Sequence, residues 1–467
     1  MTNSATAATP DAATATPVVS GNLLLDFYDW LPRAIASIVP DGAPVRRAEA
    51  FSPGFLLPEL DDGVRELFAP ATASWWEIGS YRGHRLVLLD LTANPATNTT
   101  KTFPSLLIVA RAVEHIRRTG EPVMIFSPTS ANKGVALRDA VLRAITAGLA
   151  TSRQLRMVVL APASCRHKLR ASRLSADPEL RARNPVLEYE GDDPEGVKAL
   201  GQEFVTSYAA EARRALGVNL WYSLELRNYL IADTARAFFE QRVDPIDAAG
   251  RPRLHAHAVS SAFGLLGYHQ GRTVLDEAAL ARPDSRPASL LVQHLGAPDM
   301  VLNLLHGDFD PSHAPVYALD PQTGLYRQDA DPHFPRVTYH PGEVLDPTFY
   351  THRPATSPAM NDLIRRFGGD GIVVSLAECV ARYPYLRERL AAGPRPLPAD
   401  FRTLREWSLV MALTGTLEAI DRGLVEAGRD VVVHGSGSYG DADYLPLEAS
   451  ALTPVRTAAD IAAALLT

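Results

Sequence analysis

Short aliphatic or β-branched runs alternate along this chain with segments whose apolar residues recur every three or four positions. The runs Leu86–Asp90, Val123–Phe126, Met157–Ala161, Leu254–Val259, Gly371–Ser375 and Asp430–His434 predict strands, since each is short and bounded by turn residues. A helix is predicted from about Pro104, a residue suited to a first helical turn, with Leu106, Leu107, Ala110, Val113 and Ile116 at helical spacing. Further helices are predicted over Val135–Leu149, Asn228–Gln241 and 361–367. This alternation predicts an α/β fold of parallel sheets covered by helices. In such sheets ligands collect at the carboxyl ends of strands, where loops meet helix N-termini. The Pro- and Asp-rich stretches 279–288 and 307–345 read as surface loops, and residues 1–20, rich in Ala, Thr and Pro, read as a disordered tail.

Composition narrows the class. At 467 residues, 46% hydrophobic and 21% charged, the chain is long enough for two domains with sizeable cores. A net charge of -7 without a basic run argues against a nucleic-acid partner and favours a small molecule. Cys165 and Cys379 are too few for a disulfide framework and read as core residues in a reducing compartment. No apolar run reaches the ~20 residues of a membrane helix, and no signal peptide is seen, so a soluble cytoplasmic protein with no membrane partner is expected.

Four loops at strand ends carry candidate chemistry. Asn94-Pro95-Ala96-Thr97-Asn98-Thr99-Thr100-Lys101 closes on a lysine that is either a solvated cation or a covalent catalyst. Ser127-Pro128-Thr129-Ser130-Ala131-Asn132-Lys133-Gly134 offers backbone amides and an Asn side chain to an anion or ring oxygen, or is a plain turn. Ser260-Ser261-Ala262-Phe263-Gly264 lets a phosphate approach the backbone, or caps a helix. His434-Gly435-Ser436-Gly437-Ser438-Tyr439-Gly440 formally matches G-x-G-x-x-G, but Asp441, Asp443 and Pro446 follow in place of a helix. Elsewhere, His306, Asp308, Asp310 and His313 have metal-ligating atoms in what reads as a solvated turn, so no metal is expected. His255 and His257 share a strand face and read as packed or hydrogen-bonded. Arg166, His167, Lys168 and Arg170 read as a solvated helix start, or as an attractor of acidic substrates.

The order of these loops resembles that of fold-type II pyridoxal-phosphate (PLP) enzymes, the tryptophan synthase β superfamily, and among them the threonine synthases. Asn94–Thr102 is similar to the family's Asn-Pro-Thr-Gly-Ser-Phe-Lys-Asp-Arg segment, with Lys101 at the cofactor lysine. Thr129–Gly134 is similar to its Ser-Thr-Gly-Asn-Thr loop, with Asn132 in the matching place. Ser260–Gly264 occupies the slot of the glycine-rich phosphate loop, and His434–Gly437 resembles the turn that sets a Ser or Thr against the pyridine nitrogen. Thr356–Met360 and Phe27–Pro32 also resemble threonine synthase segments. The chain departs from the pattern at Thr100, Thr102 and Phe103, and at Ser260 and Ala262 in place of glycines.

The resemblance implies a two-domain enzyme with PLP in the interdomain cleft. It implies a small domain over 95–215 and a large domain built from 21–94 and 216–467. Lys101 would be the catalytic and cofactor-bonding residue. Asn132, Ser260, Ser261, Ala262, Phe263 and Gly264 would bind the cofactor, with Ser436 at the ring nitrogen and His434 as second candidate. Thr129 and Ser130 would receive the carboxylate of an amino-acid substrate. The implied reaction is β- or γ-elimination or replacement, a lyase-type chemistry; the alternatives are an aldol-type or condensation reaction, or a non-catalytic relative that kept the fold. A homodimer is compatible with either. Residues 300–355 have no counterpart in the family pattern and are either a cover for the cleft or a surface insertion.

Overall fold

Val123–Pro128 and Asp430–Gly435 are buried at every position, which only a strand covered on both faces allows. They belong to two different sheets in the computed structural model, which describes residues 18–39, 45–47, 50–246, 250–282, 285–349 and 351–466. The larger sheet has seven strands in the order Val19–Asn22, Thr72–Tyr81, His84–Asp90, Asp430–Gly435, Arg253–Ala258, Ala288–His294, Gly369–Val374. Its first two pairings are antiparallel and the rest parallel. The smaller sheet is parallel throughout, in the order Leu452–Val455, Val186–Tyr189, Leu155–Pro162, Val123–Pro128, Asn219–Tyr222.

Register explains where the loops gather. His434 lies opposite Leu89 on one side and His257 on the other, so His84–Asp90, Asp430–Gly435 and Arg253–Ala258 end side by side. The loops that follow them are the lysine, Ser436 and Ser260–Gly264 loops. The Thr102–Thr119 helix, buried over most of its length, carries the chain from the first of these to the smaller sheet. The fourth loop then leaves Val123–Pro128 and enters the Asn132–Thr146 helix.

Several expectations shift. The four predicted helices appear as Thr102–Thr119, Asn132–Thr146, Arg227–Val243 and Ser357–Phe367, each starting one to four residues before its predicted start. Val19 and Ser20, expected in a disordered tail, pair with Trp75 and Ser74 in a strand, while residues 1–17 lie outside the described residues. Within 307–345, read as loop, Ala318–Asp320, Leu325–Arg327 and Val337–Thr338 form a three-stranded antiparallel sheet, too short for a periodic signal. The smaller sheet extends beyond 95–215: Asn219–Tyr222 joins one edge and Leu452–Val455 the other, where it pairs with Val186–Tyr189 and covers an otherwise open edge. Ile461 of the following helix is buried with Val197 and Leu200 in that sheet's core. Cys165 and Cys379 are buried free thiols, as read from the sequence. Among the described residues no helix is long and apolar enough to cross a membrane.

Gly369 opens the edge strand at φ +126°, and a Cβ there would stand 1.9 Å from the Ser289 carbonyl oxygen. Gly369→Ala should therefore destabilise the fold by at least ~2 kcal/mol in equilibrium denaturation, because both the backbone conformation and the space exclude a side chain. A loss below ~0.5 kcal/mol would show that the strand's start can shift freely.

Candidate active site

The lysine loop is rigid because its polar groups are used internally. Asn94 Oδ1 accepts from the Thr99 amide at 3.2 Å and Asn94 Nδ2 donates to the Leu91 carbonyl at 3.0 Å. Arg170 clamps the same loop from outside, donating to the carbonyls of Ala96 at 2.8 Å and Thr97 at 2.9 Å. The Thr100 amide donates to the Ser436 carbonyl at 2.7 Å and the Ser438 amide to the Asn98 carbonyl at 3.1 Å, so two of the predicted loops are sewn together.

Lys101 ends up at the head of the Thr102–Thr119 helix on the wall of a cavity of about 530 Å³, a usual size for a small-molecule site. Its Nζ lies 5.0 Å from the ring centroid of Tyr229 and has no hydrogen-bond partner among the described residues. Burial lowers its pKa, against the opposing pull of Asp233. Asn132, Thr129, Ser130, Ser436 and all of Ser260–Gly264 line the same cavity, so the structure brings together every predicted site residue but one. His434 stands behind the wall. Its Nδ1 meets Arg236 NH1 at 2.9 Å and its Nε2 meets His255 Nδ1 at 2.9 Å.

The individual groups differ in how free they are. Asn132 Oδ1 accepts from the Tyr439 hydroxyl at 2.8 Å and Nδ2 donates to Glu406 at 2.7 Å, which leaves one amide hydrogen for the cavity. Thr129 Oγ1 accepts from the amides of Ala131 and Gly134, both at 3.1 Å, which holds Ala131 at φ +89°. The Phe263–Glu277 helix begins after Ala262 at φ +50° without a side-chain cap, and the amides of Phe263 and Gly264 find no acceptor among the described residues. The hydroxyl of Ser436 is likewise without a described partner.

Lys133, Asp233 and Arg236 also line the cavity, and sequence reasoning singled out none of them. Lys133 donates to the Ser223 carbonyl at 2.9 Å and hydroxyl at 3.0 Å, and burial with the neighbouring Lys101 pushes it down to about 7. Arg236 pairs with Asp233 at 2.7 Å, both buried. Lys168, expected in a solvated helix start, is instead fully buried between Asp346 at 2.8 Å and Glu406 at 3.1 Å. Asp346 belongs to the 300–355 segment, and Thr348, Phe349, Thr351, Pro354 and Ala355 beyond it line the cavity, so the end of that segment covers the site. His257 lines the cavity too, whereas His306 and His313 stack on each other at 4.3 Å elsewhere.

A family model described as "Family of unknown function (DUF6002)" matches residues 19–467. The chain belongs to this family. No curated protein matches the sequence. Among solved structures, threonine synthase from Escherichia coli superposes on this DUF6002 chain with a TM-score of 0.56 at 14% identity, covering 95% of this chain and 88% of that one. Threonine synthase from yeast gives 0.49 at 10% identity over 96% and 89% of the two chains. PLP-bound threonine synthase from Brucella melitensis gives 0.48 at 12% identity over 81% and 73%. The DUF6002 chain thus has the α/β fold of the fold-type II PLP enzymes, as the order of its loops implied.

Lys133 gives the site a pH signature. Unfolded, it keeps its proton up to about 10.5; folded, only to about 7, so the unfolded chain binds more protons between these values. The cost of burying its charge is fully present below about 7 and is relieved as pH rises toward about 10.5. The stability of wild type relative to Lys133→Met, measured by denaturant unfolding, should therefore rise from pH 7 to pH 10; a difference independent of pH would refute the shifted amine.

Proposed function

We propose that this protein is a PLP-dependent enzyme that acts on an amino acid by elimination or replacement at Cβ or Cγ. The observation that carries the reading is Lys101: an amine whose charge burial disfavours, lining one cavity with a helix start whose amides are unused. The residues fit the cofactor. A lysine with a lowered pKa suits its aldehyde, the Phe263 and Gly264 amides suit its phosphate, and the Ser436 hydroxyl suits a ring nitrogen.

When bound, PLP supplies an aldehyde and an electron-accepting ring. The protein's own groups do the rest. Lys101 would hold the cofactor and, once released by the substrate amine, take the α-proton as a neutral base. Asp233 is the nearby carboxyl that opposes the lysine's loss of charge. Ser436, being a hydroxyl and not a carboxylate, would leave the ring nitrogen unprotonated, which favours departure of a group at Cβ or Cγ over amino-group transfer. Asn132 would direct its remaining amide hydrogen at the ring oxygen, and Thr129 and Ser130 would receive the substrate carboxylate. Phe349 and Pro354 on the covering segment would exclude water from the reacting atoms. In this reading the two sheets belong to two units that meet at the cavity.

Incubation with PLP, borohydride reduction and peptide mass spectrometry should place a phosphopyridoxyl group on Lys101 and nowhere else. Lys101→Ala should remain unlabelled. Labelling at Lys133 in place of Lys101, or no labelling, would overturn the assignment. Adding amino acids and their O-phosphorylated or O-acylated derivatives should shift the visible absorbance of the lysine-bound cofactor for at least one of them.

A further inference from the structure

The loop that resembles a phosphate cup has Ser260 and Ala262 where glycines are expected, and the cavity contains a buried cation in compensation. Arg236 is 1% exposed, on the Arg227–Val243 helix. Its five N–H donors can be accounted for one by one. Nε donates to Asp233 at 2.9 Å and NH2 to the Thr100 hydroxyl at 2.8 Å, while NH2 also stands 2.7 Å from the same Asp233 oxygen as an ion pair. NH1 donates one hydrogen to His434 at 2.9 Å. The fifth hydrogen, also on NH1, has no described partner. That nitrogen faces the start of the Phe263–Glu277 helix, since a Cβ built on Gly264 would stand 2.6 Å from it.

A second group points to the same place. His257 Nδ1 is tied to the Ala258 carbonyl at 2.6 Å, so Nε2 is a bare lone pair, buried and unpartnered, 2.5 Å from the same built Cβ. Residue 264 must be glycine for both side chains to approach. A spare guanidinium hydrogen and two unused amides thus lie at one end of the cavity; the His257 lone pair beside them is an acceptor and adds no pull on an anion.

The guanidinium is also aimed from behind. His434 Nδ1 must accept from Arg236, so its proton sits on Nε2 and is given to His255 Nδ1. The His255 proton then lies on Nε2, which stands 3.3 Å from Glu240 without forming a hydrogen bond. The two hydrogen bonds fix the tautomers of His434 and His255 and hold NH1 of Arg236 from behind.

We propose that Arg236, oriented by His434 and His255, grips the phosphate of the bound cofactor together with the Phe263 and Gly264 amides. The inference rests on the PLP reading for the identity of the ligand; the anion site itself does not. His434 is then a positioning residue and not a ring-nitrogen partner.

Titrating the full chain with PLP and with pyridoxal, followed by tryptophan fluorescence, separates the phosphate from the ring. Arg236→Met should weaken PLP by about 10- to 100-fold and leave pyridoxal within about threefold, the range of one charged hydrogen bond. His434→Gln should weaken PLP less, and also spare pyridoxal. Should Arg236→Met fail to fold, Arg236→Lys, which keeps the charge without the fork, decides on the same ratio. Equal affinity of the variant and wild type for PLP, or equal loss of PLP and pyridoxal, overturns the proposal. Inorganic phosphate is the third probe, and it should raise the melting temperature of Lys101→Met but not of Arg236→Met. If it does so while PLP never labels Lys101, the anion site stands and the cofactor reading falls. If PLP labels Lys101 and Arg236→Met binds it unchanged, the cofactor reading stands and this inference falls.

Discussion

Lys168 is buried where the loop after a strand of the smaller sheet meets the larger one, and its ammonium is shared by Asp346 and Glu406. A charge taken so far from water is tolerable only when fully paired, and the two carboxylates come from distant parts of the chain. Asp346 ends the segment that covers the cavity. Glu406 also accepts from Asn132, whose other amide atom is held by Tyr439. One buried cluster therefore fixes the cover, the Asn132 loop and the wall bearing Ser436. Two residues on, Arg170 clamps the lysine loop through its carbonyls while resting 4.4 Å from the Tyr439 ring.

The same economy of charge shapes the chemistry. Lys101, Lys133 and Arg236 share one cavity, with Asp233 opposing them and Glu406 already engaged by Lys168. Burial answers this excess by lowering both lysines, and a bound anion would answer it further. An amine whose charge burial disfavours, in one cavity with a helix start whose amides are unused, is the arrangement on which the proposed function rests.

Much of this arrangement was legible in the sequence, and the limits have physical reasons. The core strands announced themselves as apolar runs followed by polar loops, but singling out Lys101, Asn132, Ser260–Gly264 and Ser436 within those loops rests on their resemblance to the fold-type II pattern. Arg236 and Asp233 could not, because a charged residue inside a helical pattern looks like a solvated face until its neighbours are known; the Arg236 partners Thr100 and His434 lie 136 and 198 residues away. By resemblance His434, two residues before Ser436, is the second candidate for the ring nitrogen. It sits within the strand, between Leu89 and His257, and its ring meets Arg236 instead. The Leu452–Val455 strand contains Pro454 and is only partly buried, so nothing in its composition tied it to the smaller sheet.

The central claim is that this cavity holds PLP on Lys101 with its phosphate against the Phe263–Glu277 helix. A crystal structure of the full chain grown with PLP tests it most directly. The account predicts density continuous from Lys101 Nζ, with the phosphate bounded by Phe263, Gly264 and Arg236 and the ring nitrogen at Ser436. An empty cavity, or a cofactor bound with its phosphate away from that helix start, would contradict it.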